Sequence, residues 1–389
     1  MRWPGDGSLI ATCGGGAEEA LELELREMGL VPLDRGNGIV TFRGAEREMI
    51  EANLRLRCAS RILIPLFGGP VRSYDDLYRL ARRVPWQHLV PARLTIAVSA
   101  ITRESALADS RLAALKVKDA IVDTQRRSGQ RSNVNRTRPD APVSVHIAGG
   151  IATISLDSSG DPLHERGYRT EAGDAPLRET VAAAMLRTSG WDTERPLLDP
   201  FCGSGTIAIE AALLAARIPP GAIRTGYAFS RWPWISPHAA DDRLHALAAD
   251  RGDRPAVPLV ARDIDPQVIE IARRNARRAG VERLIHFEVA DALHQDPPAG
   301  TGLVVTNPPY GERTDIGSAR EFYGAFGDRL KQSYGGWQAW ILSANRDALK
   351  GLGLRIASRR LLWNGGLEAR LCRVDVFSAT CRSGRGERQ

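Results

Sequence analysis

The sequence predicts an α/β protein in which a doubly wound parallel sheet follows two small α+β modules. Three observations carry this. Beyond residue 176, apolar strand patterns alternate with long helical ones, and strands separated by crossover helices pair in parallel. Before residue 160 the elements are shorter and more varied in order. Between the two regions lies a polar stretch, "SSGDPLHERGYRTEAGDAP" (158 to 176), with the composition of a boundary. The expected division is therefore residues 1–69, 70–160 and 161–389.

In the first module "SLIATC" reads as a strand, and "GAEEALELELREMG" as a helix stopped by its glycine. "GIVTFRG" gives another strand, "AEREMIEANLRLRC" a helix and "RILIPLF" an apolar strand. After "GGP" the second module opens with "SYDDLYRLARRV", a helix capped by its serine. There "RLTIAVSA" alternates as a strand, "DSRLAALKVKDAIVDTQRRSG" is a long helix, and "PVSVHIAGGIATISLD" is a hairpin turning at Gly149-Gly150. The third region runs from the strand "RPLLDPF" through the helix "GTIAIEAALLAAR" and the strand "VPLVARDID". The helix "PQVIEIARRNARRAG" and the strands "IHFEVADA" and "GLVVTNPPY" follow, and the tail "CRSGRGERQ" is polar.

With 389 residues, 43% apolar and 25% charged, the chain has material for more than one core. A formal charge of +7 favours a polyanionic partner without selecting one. The five cysteines, Cys13, Cys58, Cys202, Cys372 and Cys381, are scattered and form no C-x-x-C pair, which argues against a disulfide framework and a zinc site. No apolar leader opens the sequence and no run of 18 apolar residues occurs. The expectation is a soluble, cytoplasmic protein with no membrane or metal partner.

"LLDPFCGSGTIAIEAA" (197 to 212) places a glycine turn between an apolar strand and an apolar helix. Gly203 and Gly205 let the backbone approach a ligand where the helix begins, the position a nucleotide-like ligand takes in doubly wound sheets. The turn lacks the lysine of a Walker loop and the spacing of G-x-G-x-x-G. Asp199, at the strand end, suits a cationic or amino-bearing ligand better than a pyrophosphate. The next strand ends in "ARDID", where Asp263 is placed to accept ribose hydroxyls and Asp265, before Pro266, to cap a helix. A third strand ends at Asp291, a position suited to an adenine amino group. Singly each acid reads as a cap or a solvated turn; together, after a glycine turn, they read as a ligand site. Cys202 has glycine neighbours and no adjacent base, so it is not read as a nucleophile.

"TNPPYGER" (306 to 313) ends its strand abruptly, since neither proline can donate to a ladder. An exocyclic amino group on a base is a poor nucleophile because its lone pair is delocalised into the ring. Acceptors for its two hydrogens, the Asn307 side-chain oxygen and the Pro308 carbonyl, would aim that lone pair at a methyl donor. Pro309 keeps the backbone rigid, and Tyr310 offers a ring to stack on the base.

"DPFCGSGT", "RDID", "DA" and "NPPYGER", in this order, resemble the class I S-adenosylmethionine-dependent amino-methyltransferases. More narrowly, "LHERGYR", "APLRETVAAAMLRTSGW" and "LLWNGGLEARL" resemble the THUMP-containing RNA guanine-N2 methyltransferases, especially those of large-subunit ribosomal RNA. "ATCGGGAEEALELELREMG" and "VKDAIVD" fit the N-terminal modules of that family more loosely. The resemblance implies a ferredoxin-like module, a THUMP module and a C-terminal Rossmann-like methyltransferase sheet. It implies Asp199, Phe201, Gly203, Gly205 and Thr180 at the methionine end of S-adenosylmethionine, Asp263 at the ribose, and Asp291 with Ala292 at the adenine. Phe201 stands where relatives commonly show methionine. Asn307, Pro308, Pro309 and Tyr310 would hold the target guanine, with Asn307 also bordering the cofactor.

The same resemblance makes Arg126, Arg127, Arg131, Arg136 and Arg138, in an acid-free run that alone reads as a solvated surface, a phosphate-contacting loop. The partner implied is 23S rRNA or an assembly intermediate, with tRNA as the alternative. Adenine N6 or cytosine N4 as target, in DNA or RNA, and an RNA-binding factor without activity are the competing readings; the THUMP-like half argues against DNA, and intact Asp199, Gly203, Asp263 and Asn307 speak against the factor.

Overall fold

The computed structural model describes residues 3–127, 129–169, 177–249, 252, 257–309 and 319–377. Its strands are β1 (Ser8–Thr12), β2 (Val31–Gly36), β3 (Ile39–Arg43), β4 (Arg61–Pro70), β5 (Ile96–Arg103), β6 (Ala141–Ala148) and β7 (Ile151–Asp157). They continue with β8 (Leu197–Asp199), β9 (Leu259–Asp263), β10 (His286–Val289), β11 (Leu303–Thr306), β12 (Gln338–Ser343), β13 (Ile356–Asn364) and β14 (Leu367–Asp375). The helices are α1 (Glu18–Glu27), α2 (Glu46–Arg55), α3 (Tyr74–Ala81), α4 (Trp86–Leu89), α5 (Ser110–Arg126) and α6 (Glu179–Thr188). After them come α7 (Thr206–Ala215), α8 (Ala239–Ala248), α9 (Pro266–Arg278), α10 (Ala319–Ser333) and α11 (Arg346–Gly351). Internal packing divides the chain into two compact units: Met1–Cys13, Leu21–Glu165 and Arg224–Ala246 form one, and Gly14–Ala20, Arg166–Ile223 and Leu247–Gln389 the other.

The first unit is built on a seven-stranded sheet in the order β2-β3-β1-β4-β7-β6-β5. Every pair is antiparallel except β5 with β6, which α5 connects as a parallel crossover. Alternate residues of β6 are buried, the mark of a strand with one face on a core. The β6–β7 hairpin turns at Gly149 (φ +56°) and Gly150 (φ +79°), the left-handed pair a two-residue primed turn requires. Ser73 caps α3 by accepting from the Asp76 N–H at 3.1 Å, while the Asp76 carboxylate accepts from the Ser73 N–H at 3.0 Å.

Two features differ from the sequence reading. β4 does not stop at Phe67 but runs through Gly68, Gly69 and Pro70, paired with β7 from Leu63 to Pro70. The strands of the two expected N-terminal modules therefore lie in one sheet, and a bulge next to Pro65 absorbs the missing donor. Residues 224–246, expected within the C-terminal region, pack on this first unit instead. The Phe229 N–H donates to the Ser158 carbonyl at 3.2 Å, the Trp232 indole to the Asp140 carbonyl at 3.0 Å, and Trp234 stacks on Trp232 with 5.0 Å between ring centres.

The second unit holds the other seven-stranded sheet, in the order β10-β9-β8-β11-β12-β14-β13. β10, β9, β8, β11 and β12 are parallel, as the strand–helix alternation predicts. The sheet is mixed, however: β14 runs antiparallel to β12, and β13 to β14. "LLWNGGLEARL" is the hairpin that makes this edge, turning at Gly365 (φ +65°) and Gly366. β8 and β11 are buried along their whole length, and α7 is buried on every side from Thr206 to Leu213. One face of the sheet, through Leu198, Val304 and Ile341, packs on Tyr323, Phe326 and Leu330 of α10 and on Trp337.

A Cβ built on Gly327 of α10 would lie 1.9 Å from the Leu352 carbonyl oxygen, just beyond α11. Backbone cannot yield as a flexible side chain does, so Gly327→Ala is expected to cost about 1–3 kcal/mol or more. Thermal unfolding measures this. An unchanged melting temperature would contradict the close approach of α10 to the Leu352 turn.

Candidate functional site

The chain leaves β8 for β9 and β10 on one side, then returns to β11 and β12 on the other. The carboxyl ends of β8 and β11 thus sit at the reversal of strand order, where open α/β sheets leave a crevice. Asp199 closes β8, and Asn307 directly follows β11. The sequence motifs for the ligand turn and for the target base, about a hundred residues apart, therefore meet at one place.

Asp199 is 1% exposed, and its Oδ1 accepts the Thr306 hydroxyl at 2.7 Å and the Phe201 N–H at 3.3 Å. Burial pushes its carboxyl up to about 7 against those two bonds, and the Asp263 charge adds to the rise. Cys202 follows with its thiol pushed well up, by burial first and then by Asp199 and Asp263, which keeps it protonated. Phe201 turns into the core, its ring 5.5 Å from that of Phe322 and 5.0 Å from that of Phe326.

Both turn glycines are left-handed, Gly203 at φ +53° and Gly205 at φ +85°, but for different ends. A Cβ on Gly205 would come within 3.0 Å of the Ala272 side chain, so this glycine lets α7 close on α9. A Cβ on Gly203 would meet nothing within 4 Å; the space above this turn is open to a ligand.

Asp263 ends β9 and fixes the turn from the side: Oδ2 accepts the Gly203 N–H and Oδ1 the Asp265 N–H, each at 3.1 Å. Partial burial raises its carboxyl above the ordinary value. Asp265 caps α9 as its place before Pro266 predicts, accepting the Gln267 N–H at 2.7 Å. Asp291 departs from expectation. β10 ends at Val289, and Asp291 heads a turn beyond it, Oδ1 accepting the Leu293 N–H at 2.9 Å and Oδ2 lying 2.7 Å from the His294 imidazole. Ala292 beside it is buried. Sequence reading also passed over Ile264, 67% exposed between Asp263 and Asp265; its signal was a large apolar residue set between two acids at a strand end.

Thr180, the second residue of α6, is 3% exposed. Pro308 is buried, and Asn307 and Pro309 are half-buried. Tyr310 and the "GER" after it lie outside the described residues, as does Cys381. In the first unit Arg126, Arg127, Arg131, Arg136 and Arg138 are all exposed. Arg126 pairs with Asp123 at 3.3 Å and Arg138 with Asp161 at 3.9 Å. A cavity of about 480 Å³ there is lined by Lys116, Lys118, Arg126 and Arg131 together with Asp119 and Asp123. The two lysines were missed because they read only as the polar face of α5. Among the described residues no His, Cys, Asp and Glu gather into a metal site, and no helix is long and apolar enough to cross a membrane.

A mixed sheet in this order, with a glycine turn after β8, an acid closing β9 and Asn-Pro-Pro after β11, defines a Rossmann-like methyltransferase domain. Residues 166–371 match the family described as "RMKL-like, methyltransferase domain", residues 71–157 a THUMP domain, and residues 8–63 an RlmL ferredoxin-like domain. The chain belongs to the RMKL-like methyltransferase family. It is 37% identical to the Ribosomal RNA large subunit methyltransferase K/L of Shewanella sp. strain MR-4, over 97% of this chain and 53% of that protein. It thus spans about half the length of that relative. It is also 36% identical to slr0064 of Synechocystis sp., an RNA methyltransferase by name, over 95% of this chain and 96% of slr0064. The crystal structure of SMU.472 complexed with SAH superposes with a TM-score of 0.86 at 28% identity, covering 97% of this chain and 100% of that one.

The Asp199 carboxyl has a testable consequence. Its value is about 7 in the folded chain against an ordinary 3.8, so between those values the unfolded chain releases the proton and the folded chain keeps it. Stability attributable to Asp199 therefore falls as pH rises through that window. Asp199→Asn, which keeps an oxygen for Thr306 and Phe201, is expected to stabilise the fold by up to about 4 kcal/mol at pH 8, with the gain shrinking toward pH 5. Calorimetric unfolding at both values tests this; parallel shifts at the two pH values would contradict it.

Proposed function

We propose that this protein transfers a methyl group from S-adenosylmethionine to the exocyclic N2 amino group of a guanosine in structured RNA, with 23S rRNA as the substrate. The observation that carries the reading is the meeting of Asp199 and Asn307 at the β8–β11 reversal. The names of the Shewanella and Synechocystis relatives support RNA as the substrate class.

The residues present fit the cofactor. Gly203 leaves open space above a ligand turn, the exposed Ile264 offers an apolar face next to Asp263, and the acid-rich surroundings of Asp199 favour a cation. Asp263 would hold the ribose hydroxyls, Asp291 and Ala292 the adenine, and Asp199, Phe201, Gly203, Gly205 and Thr180 the methionine end. Bound there, S-adenosylmethionine supplies an electrophilic methyl group.

The chain's own residues do the rest. The Asn307 side-chain oxygen and the Pro308 carbonyl accept the two amino hydrogens and aim the lone pair along the line of attack. Pro309 holds that backbone fixed, and Tyr310 is assigned to stacking on the base. The base must leave its stack to reach this crevice, which costs a few kcal/mol. Positioning of this kind can supply about 7–11 kcal/mol of the rate gain. Arg126, Arg127, Arg131, Arg136 and Arg138, with Lys116 and Lys118, are assigned to RNA phosphates, which makes RNA affinity steeply salt-dependent. In this reading residues 1–160 hold the RNA, residues 161–389 perform the transfer, and the reaction takes place in the cytoplasm.

Two variants separate the halves of the site. Asp263→Ala is expected to weaken S-adenosylmethionine binding about 10- to 100-fold in titration calorimetry, since bonds to a charged acceptor are worth about 1.5–3 kcal/mol. Asn307→Ala should leave that binding nearly intact while slowing single-turnover methylation on the order of 10²–10³-fold, with Asn307→Asp milder because an acceptor remains. A normal rate for Asn307→Ala would reduce the Asn-Pro-Pro segment to a rigid turn and end the catalytic assignment.

A further inference from the structure

"LHERGYR" carries part of the family likeness, yet none of its side chains has a role in the site described so far. In the second unit this segment sends Arg166, Tyr168 and Arg169 inward. Arg166 and Glu210 form an ion pair at 3.4 Å that is 1% and 0% exposed, and the Tyr168 hydroxyl donates to the same Glu210 oxygen at 3.2 Å. Arg169 does something different. One terminal nitrogen donates to the Leu177 carbonyl at 2.7 Å and to the Thr206 hydroxyl at 2.8 Å, and lies 3.4 Å from the Glu179 carboxylate. Glu179 is the first residue of α6, next to Thr180; Thr206 is the first residue of α7, next to Gly205. A single guanidinium thus ties the start of one helix to the glycine turn at the start of the other.

A cation is electrostatically misplaced against two helix amino ends, whose partial charge is positive. Structural need alone would be met by an apolar side chain of similar size, since a buried ion pair adds little net stability over such packing. The charge is accounted for by what it ties together: one donor nitrogen holds Leu177, Thr206 and Glu179 in a fixed register, which apolar packing does not specify.

We propose that Arg169, with Glu179 as its counter-ion, is a positioning residue that fixes the amino ends of α6 and α7 and thereby the methionine end of the cofactor site. This rests on the cofactor reading above. Burial pushes the Glu179 carboxyl up to about 7, and Arg169 is the main influence holding it down. Loss of Arg169 removes that influence and pushes the carboxyl further up, and Glu179→Gln takes the unpaired acid out of the interior.

Titration calorimetry with S-adenosylmethionine at pH 8 tests this, beside thermal unfolding and steady-state kinetics. Arg169→Met is expected to bind at least tenfold more weakly, with KM for the cofactor raised and KM for RNA unchanged. Arg169→Met/Glu179→Gln should regain the wild-type melting temperature within a few degrees and stay at least tenfold weaker. Thr206→Val, which deletes one acceptor without changing shape, should weaken binding, and Thr206→Ser should restore it. Binding by the double variant within twofold of wild type would overturn the proposal and leave the cofactor reading standing. Failure of the wild-type protein to bind would overturn both.

Discussion

The arrangement of the second unit depends on the contact between β8 and β11, sealed by the Thr306 hydroxyl on the buried Asp199 carboxylate at 2.7 Å. β8 is only three residues long and β11 four, so neither could hold the centre of a sheet by ladder bonds alone. Both are buried throughout, in keeping with a parallel sheet covered on its two faces. Their adjacency is what brings the glycine turn and the Asn-Pro-Pro segment to one crevice. Had the order of strands not reversed there, the two motifs would lie on separate edges and the sequence between them would have nothing to align.

The same contact sets the electrostatics. Asp199 is placed where burial works against its charge, and Asp263 stands close enough to raise it further. Both acids also bind backbone N–H groups of the turn they flank, Asp199 that of Phe201 and Asp263 that of Gly203. They are at once the braces of the turn and its negative field, so under the proposed cofactor reading stability and ligand affinity are coupled through the same atoms. A site of this kind gains stability when an acid is neutralised and loses the field that attracts a cation, the usual opposition of stability and function.

What was legible in the sequence follows from how local each cause is. The glycine turn, the Asp265 cap and the Gly149-Gly150 hairpin are decided within a few residues, and the chain adopts them as read. Of the parallel strands, β8, β9 and β11 were legible as apolar runs, β10 was read too long, and β12 was not read. β2 was not, because "VPLDRG" is an exposed edge strand with a proline and no alternation. The antiparallel edge of β14 and β13 was invisible because its pairing is set by β12, not by a local pattern. The tryptophans of residues 224–246 find partners on the first unit, Trp232 at Asp140 and Trp234 at Leu89, through tertiary packing that no local pattern announces. Asp291 was placed at a strand end by the apolar pattern, but its carboxylate meets the Leu293 N–H and the His294 imidazole in the turn beyond it. In the site, the residue types were readable and their sharing was not: nothing local announces that Asp263 braces Gly203, or that Arg169 reaches both Glu179 and Thr206.

The central claim is that this crevice methylates a guanine amino group in ribosomal RNA. The most direct measurement incubates the purified full chain with S-adenosylmethionine and unmodified 23S rRNA, digests the RNA to nucleosides and identifies the products by mass spectrometry. The account predicts N2-methylguanosine, dependent on Asn307. N6-methyladenosine in its place, or no methylated nucleoside while the cofactor is bound, would contradict it.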